Sequence, residues 1–192
     1  PVRADRRGGL QVNLQYGLLR VRAMALLTFG ARSAAEDVFS HMLQRWPEDP
    51  YALASRSHVR AELGRRSQAI ADLQRLVQAH PDLGAAHWFN LAFLLDEAEG
   101  AFRRAVALDP QLDRAWYGLG LVLIRQQRYD EAVAALKRNT ELQPMSPYGW
   151  YQLARVQVDR QQPDEARKII RHLKGFEPKV ADQLVRETGL DS

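Results

Sequence analysis

Residues 115–144 read AWYGLGLVLIRQQRYDEAVAALKRNTELQP, and residues 149–178 read GWYQLARVQVDRQQPDEARKIIRHLKGFEP. Each opens on an aromatic pair, runs through apolar positions at helical spacing, breaks at a polar stretch (RQQRY, DRQQP), resumes a helical pattern and closes on proline. The closing proline is periodic: Pro47, Pro81, Pro110, Pro144 and Pro178 are separated by 34, 29, 34 and 34 residues. A fixed period of this length marks stacked helix–turn–helix units, none of which buries its apolar face alone.

Composition narrows the function classes. With 46% apolar and 26% charged residues in 192, the chain is ordinary for a folded globular domain or repeat array. AMALLTF (residues 23–29) is far short of the ~20 apolar residues that span a bilayer, so no membrane span is expected. The absence of cysteine excludes disulfides and thiolate chemistry but leaves the compartment open, cytoplasm and periplasm both fitting. A net charge of +4 reads as solvated surface, and nucleic acid is not the expected partner. The start at Pro1, followed by a polar leader without an apolar core, is no signal peptide and reads as a truncated N-terminus.

The repeating unit resembles the tetratricopeptide repeat family, with its W-x2-L-G-x2-Y, A-x3-F and closing P. Trp116, Leu119, Gly120, Tyr129, Ala132, Leu136 and Pro144 match one unit, and Trp150, Leu153, Ala154, Ala166, Ile170 and Pro178 the next. Gly30, Ala35, Phe39 and Pro47, then Gly64, Ala69, Leu73 and Pro81, match two looser ones, with Arg56 and Ser57 where Leu and Gly are usual. The resemblance implies an all-α, right-handed α-solenoid of antiparallel helix pairs. Its expected organisation is a leader (1–10), an array (11–178, units about 16–47, 50–81, 85–110, 113–144 and 147–178) and a C-terminal capping helix (179–192). Alanines 35, 69, 98, 132 and 166 sit where paired helices cross, Asp49 and Ser146 are N-caps before proline, and Ser33-x-x-Glu36 has capping-box form.

The third unit breaks the rule. In LAFLLDEAEGAF (residues 91–102) one helical pattern meets the next, six residues short of the other units. Either the pair is fused into one helix over about 85–108, inviting a homodimer through a swapped third repeat, or a turn belongs there that the sequence as given does not contain. The second reading is favoured.

Candidate chemistry is sparse. His41, His58, His80, His87 and His172 lack metal-ligand spacing, and the Asp-Glu pairs at 96, 130 and 164 recur as first-turn acids that suit a helix N-terminus. No catalytic residue, metal site or cofactor is expected, and Trp88, Trp116 and Trp150 read as core. In the family the first helices line a concave groove for peptides. Carried over slot by slot, that resemblance implies a lining of Tyr51, His58, Phe89, Phe93, Arg114, Tyr117, Arg125, Tyr148, Tyr151 and Arg155, with Leu121, Ile124 and Val158 groove or core. Of the family's carboxylate clamp for chaperone tails, only Asn90 and Arg114 fit. The expected function is a non-enzymatic interaction scaffold for a protein or peptide with apolar and acidic residues. The alternatives are the repeat portion of a larger transferase-like enzyme and an RNA-binding helical array.

Overall fold

The computed structural model describes residues 6–95 and 98–190, with side chains from residue 14 onward. All regular structure among them is helical: α1 (Arg6–Thr28), α2 (Arg32–Arg45), α3 (Pro50–Glu62), α4 (Arg66–Ala79), α5 (Ala85–Leu94), α6 (Glu99–Leu108), α7 (Asp113–Arg125), α8 (Tyr129–Leu142), α9 (Pro147–Asp159), α10 (Pro163–Lys174) and α11 (Pro178–Thr188). The fold is the expected all-α solenoid of stacked helix pairs. It divides into two compact units, Pro1–Leu83 and Gly84–Ser192. α1 begins inside the stretch read as a leader, whose residues 1–5 lie outside the described ones.

Within each unit a helix packs on its pair partner and on the next pair. The crossing alanines carry this: Ala35, Ala69, Ala132 and Ala166 are fully buried and Ala98 nearly so. Other close approaches need glycine. A β-carbon on Gly120 would lie 2.7 Å from Leu136 of α8, and one on Gly149 2.1 Å from Asn139 Oδ1, also on α8. The buried Asn139 amide is satisfied by donating to the Asp113 carbonyl at 3.0 Å.

The turns follow one geometry. Gly30 and Gly64 take φ +73°, and Gln127 and Gln161 take φ +59° at the corresponding positions. Asp49 caps α3, its carboxylate accepting from Ala52 N at 2.8 Å. Ser146 occupies the N-cap of α9, but its hydroxyl makes no capping bond. The Ser33–Glu36 box does not form. α2 starts at Arg32 behind Ala31, and the buried Glu36 turns to Arg60 and Arg65 instead.

The fused helix is overturned. α5 ends at Leu94, Leu95 is extended (φ −84°, ψ 144°), α6 starts at Glu99, and the two helices pack as a pair. The reversal is therefore made within the sequence as it stands, and the swapped dimer built on a fused helix loses its basis. Both helices pay in length: 10 residues each, against 13 and 14 in α7 and α8. Ala98 precedes α6, whereas Ala132 lies inside α8, so the lost segment is the end of one helix and the first turn of the next. Asp96 and Glu97 lie outside the described residues. An exposed ion-pair network supports the shortened α6. Arg103 bridges Glu99 and Glu131 at 2.7 and 2.6 Å, and Arg128 reaches Glu99 at 2.8 Å. These partners, Arg103 foremost, hold the Glu99 carboxyl below its ordinary range.

Candidate binding faces

In the second unit, α5, α7 and α9 present residues of the expected lining. Phe89 stacks on Phe93 with ring centres 6.4 Å apart, and Phe93 is 73% exposed. The Arg114 guanidinium lies over the Phe89 ring at 5.1 Å, a cation–π contact that leaves its edge available to an anion. Tyr117, Tyr148 and Tyr151 line one open hollow of about 270 Å³ with Pro147, Gln152, Val180 and Gln183. Tyr148 is 71% exposed, too wet for a core aromatic. Leu121, Ile124 and Val158 are half-buried, and Arg125 is exposed in the last turn of α7.

α11 does more than cap. Ala181 and Leu184 are fully buried where it packs against α10 and α9. On its other side Tyr151 donates its hydroxyl to Glu187 Oε2 at 2.5 Å, and Gln183 Nε2 donates to Glu187 Oε1 at 2.7 Å. The bond to Tyr151, then that to Gln183, lowers the Glu187 carboxyl below its ordinary range, and the same bond raises the Tyr151 phenol. Arg155 lies 5.8 Å over the Tyr151 ring, and its charge further lowers Glu187. Sequence reading missed Val180, Gln183 and Glu187 as lining, because α11 lacks the repeat pattern that would have assigned its slots.

In the first unit, Tyr51 is half-buried, edge-on to the buried Phe39 at 6.0 Å and covered by the Arg20 guanidinium at 4.2 Å. His58 is exposed and faces Glu62 at 3.7 Å. Beneath this face runs a feature the sequence flagged without explaining. Arg56, off-pattern for its slot, donates Nε and Nη2 to Asp72 at 2.9 and 2.6 Å and Nη1 to Ser40 at 3.1 Å. Arg60 joins the same Asp72 to Glu36, both at 2.8 Å, and Arg65 completes the set on Glu36. With Asp72 2% and Glu36 5% exposed, this is an interior ion network that ties α2 of the first repeat to α3 and α4 of the second.

The tryptophans are not core. Trp116 and Trp150 are half-buried and donate Nε1 to the carbonyls of Pro110 and Pro144 at 3.0 and 2.8 Å, pinning each first helix to the turn before it. Trp46 packs at a helix end, edge-on to Tyr16 at 5.1 Å. His172 sits 4.4 Å from the Trp150 ring and 5.4 Å from Phe176, and His80 bonds the Glu48 carbonyl at 2.8 Å. Among the described residues no cluster of three potential metal ligands occurs, and no helix is long and apolar enough to cross a membrane.

Models of the tetratricopeptide repeat match residues 59–83 and 94–147. The chain is built from tetratricopeptide repeats. The second match takes in α6 of the shortened pair together with α7 and α8, while most of α5 lies outside both matches. Among curated proteins, the Cell division cycle protein 27 homolog of Caenorhabditis elegans is 37% identical over 67 residues, 32% of this chain. The chain spans only 8% of that protein's length. Among solved structures, MamA is 23% identical with a TM-score of 0.78, covering 86% of this chain and 93% of its own. YrrB, described as a tetratricopeptide repeat protein with an unusual peptide-binding site, is 16% identical with a TM-score of 0.76, covering 85% and 88%. A tetratricopeptide repeat protein from Parabacteroides merdae is 18% identical with a TM-score of 0.76, covering 91% and 73%. These likenesses support the fold.

Proposed function

We propose that this protein is an interaction scaffold without catalysis of its own, binding a protein segment on the second unit's first-helix face. The observation that carries the reading is the hollow of Tyr117, Tyr148 and Tyr151. Three phenols at one opening offer broad, rigid contact area with a polar edge, the composition of interface hot spots rather than of a core. An apolar anchor of the partner fills the hollow, and an acidic residue pairs with the exposed Arg114, whose guanidinium lies over the Phe89 ring. Arg155 is less open to an anion because Glu187 already shares its field. The peptide-binding site named for YrrB is consistent with this use of the fold. Tyr51, His58 and Arg125 are proposed as further partner contacts outside the hollow.

The test is a pull-down of cross-linked partners with the intact chain and with Tyr117→Ala and Arg155→Ala. Both variants should keep wild-type helicity by circular dichroism; Tyr117→Ala should lose the recovered partner and Arg155→Ala should weaken it. Undiminished recovery by both variants would sink the face.

A further inference from the structure

α1 carries two apolar faces where one would be expected. Its inner face, Tyr16, Leu19, Ala23 and Leu26, is the buried or half-buried side. Leu14, Leu18 and Val21, at i, i+4 and i+7, are 65%, 61% and 66% exposed. A helix apolar on opposite sides is normally covered on both.

The other first helices show what covers such a face. Counted from the turn that ends each helix, the positions of Leu18, Val21 and Ala25 are those of Ala115, Gly118 and Val122 on α7. Ala115 and Val122 are buried there, and a β-carbon on Gly118 would meet the ring of Phe102, on the preceding helix α6, at 2.4 Å. On α9 the Leu18 position is Gly149, which sits against α8, and on α3 it is the buried Ala52. The outer stripe of α1 is thus a helix seat. It is built differently from the internal ones: a leucine stands where they have alanine or glycine, while Gly17 and Ala25 beside it leave room for another side chain, with nothing within 4 Å of a β-carbon at Gly17.

Charge selects the occupant. Residues 6–28 include arginines at 6, 7, 20 and 22 and no acid. A second copy would bring only further arginines and no acid to the seam, and like charges so gathered disfavour the pair. A lipid surface would have no use for the notch at Gly17 and Ala25, which ridge-into-groove packing of a helix does use. The geometry points to an amphipathic helix of another protein, apolar on one face and acidic on its flanks, docking along Leu14, Leu18 and Val21. This surface is separate from the tyrosine hollow and does not depend on it.

A designed helical peptide with leucine at i, i+3, i+4 and i+7 and glutamate on both flanks is the probe, titrated against the full chain alongside a twin with lysine flanks. The glutamate peptide should bind, the lysine twin should bind about tenfold or more weakly, and Arg22→Glu should narrow or reverse that preference. Leu18→Gln combined with Val21→Gln should abolish binding with helicity unchanged, since both side chains are exposed, and Tyr117→Ala should leave it intact. The proposal is overturned if the glutamate peptide fails to bind, if both peptides bind alike, or if binding survives the double substitution. It is equally overturned if the double substitution instead removes self-association in sedimentation or binding to anionic vesicles.

Discussion

Arg56 on α3 grips the Asp72 carboxylate on α4 through two nitrogens, at 2.9 and 2.6 Å, in a slot where this repeat usually packs a leucine. Removing one partner of a buried pair leaves a charge without compensation. Asp72→Ala should therefore destabilise the chain by about 3–5 kcal/mol, read as a drop in the urea midpoint. The double substitution Arg56→Leu with Asp72→Leu should recover most of that loss, because Arg60 keeps Glu36 and the slot regains its apolar filling. A double variant as unstable as Asp72→Ala would show that the network is not separable in this way.

The contact of Gly118 with Phe102 makes a second prediction. A methyl group at Gly118 would overlap the phenyl ring, and the ring is nearly buried, so relief needs movement of α6 or α7. Gly118→Ala should cost about 1–3 kcal/mol by thermal unfolding. Pairing it with Phe102→Leu should be less damaging than the two single effects added together.

The shortened third pair should be the weak point of the second unit. With 10 residues each, α5 and α6 have fewer internal hydrogen bonds and less contact area than α7 and α8. Amide exchange should accordingly run ahead in residues 85–108 relative to 113–142 at equal intrinsic rate. Uniform protection across the two pairs would contradict this.

Much of this architecture was legible in the residues. The prolines, the crossing alanines and the turn glycines fix helix pairs because each answers to a local rule: closure, close approach or positive φ. What stayed illegible depended on partners distant in sequence. Glu36 looked like a capping-box acid because its spacing to Ser33 is local, whereas Arg60 and Arg65, which claim it, are 24 and 29 residues away. Trp116 and Trp150 read as core because size suggests burial, and the carbonyls that hold their indole nitrogens carry no side-chain signal. The third unit failed for a different reason. A reversal can be built by shortening both helices, and the repeat template has no way to express that. Of the candidate lining, Phe89 meets Phe93 and Arg114, and the three tyrosines separately share one hollow, while the part of α11 escaped because its residues follow no repeat.

The clasp between Tyr151 and Glu187 has a definite pH window. Glu187 titrates below its unfolded value, so its contribution is present above the ordinary carboxylate range and is lost as pH falls through the lowered value. Tyr151 titrates above its unfolded value, so its contribution is present below the ordinary tyrosine range and is lost as pH rises through the raised one. Protection of α11 amides, corrected for intrinsic exchange, should be level between those limits and fall on the acid side. Tyr151→Phe should flatten the acid-side fall, and an unchanged fall would assign it to other groups.

The most direct measurement of the proposed function is selection of random peptides displayed on phage against the intact chain, with Tyr117→Ala as the counter-selection. The account predicts enriched sequences that place an apolar residue close to an acidic one, and synthetic peptides of those sequences should lose affinity for Tyr117→Ala and for Arg114→Ala. Enriched peptides that bind all three proteins equally, or no enrichment at all, would contradict it.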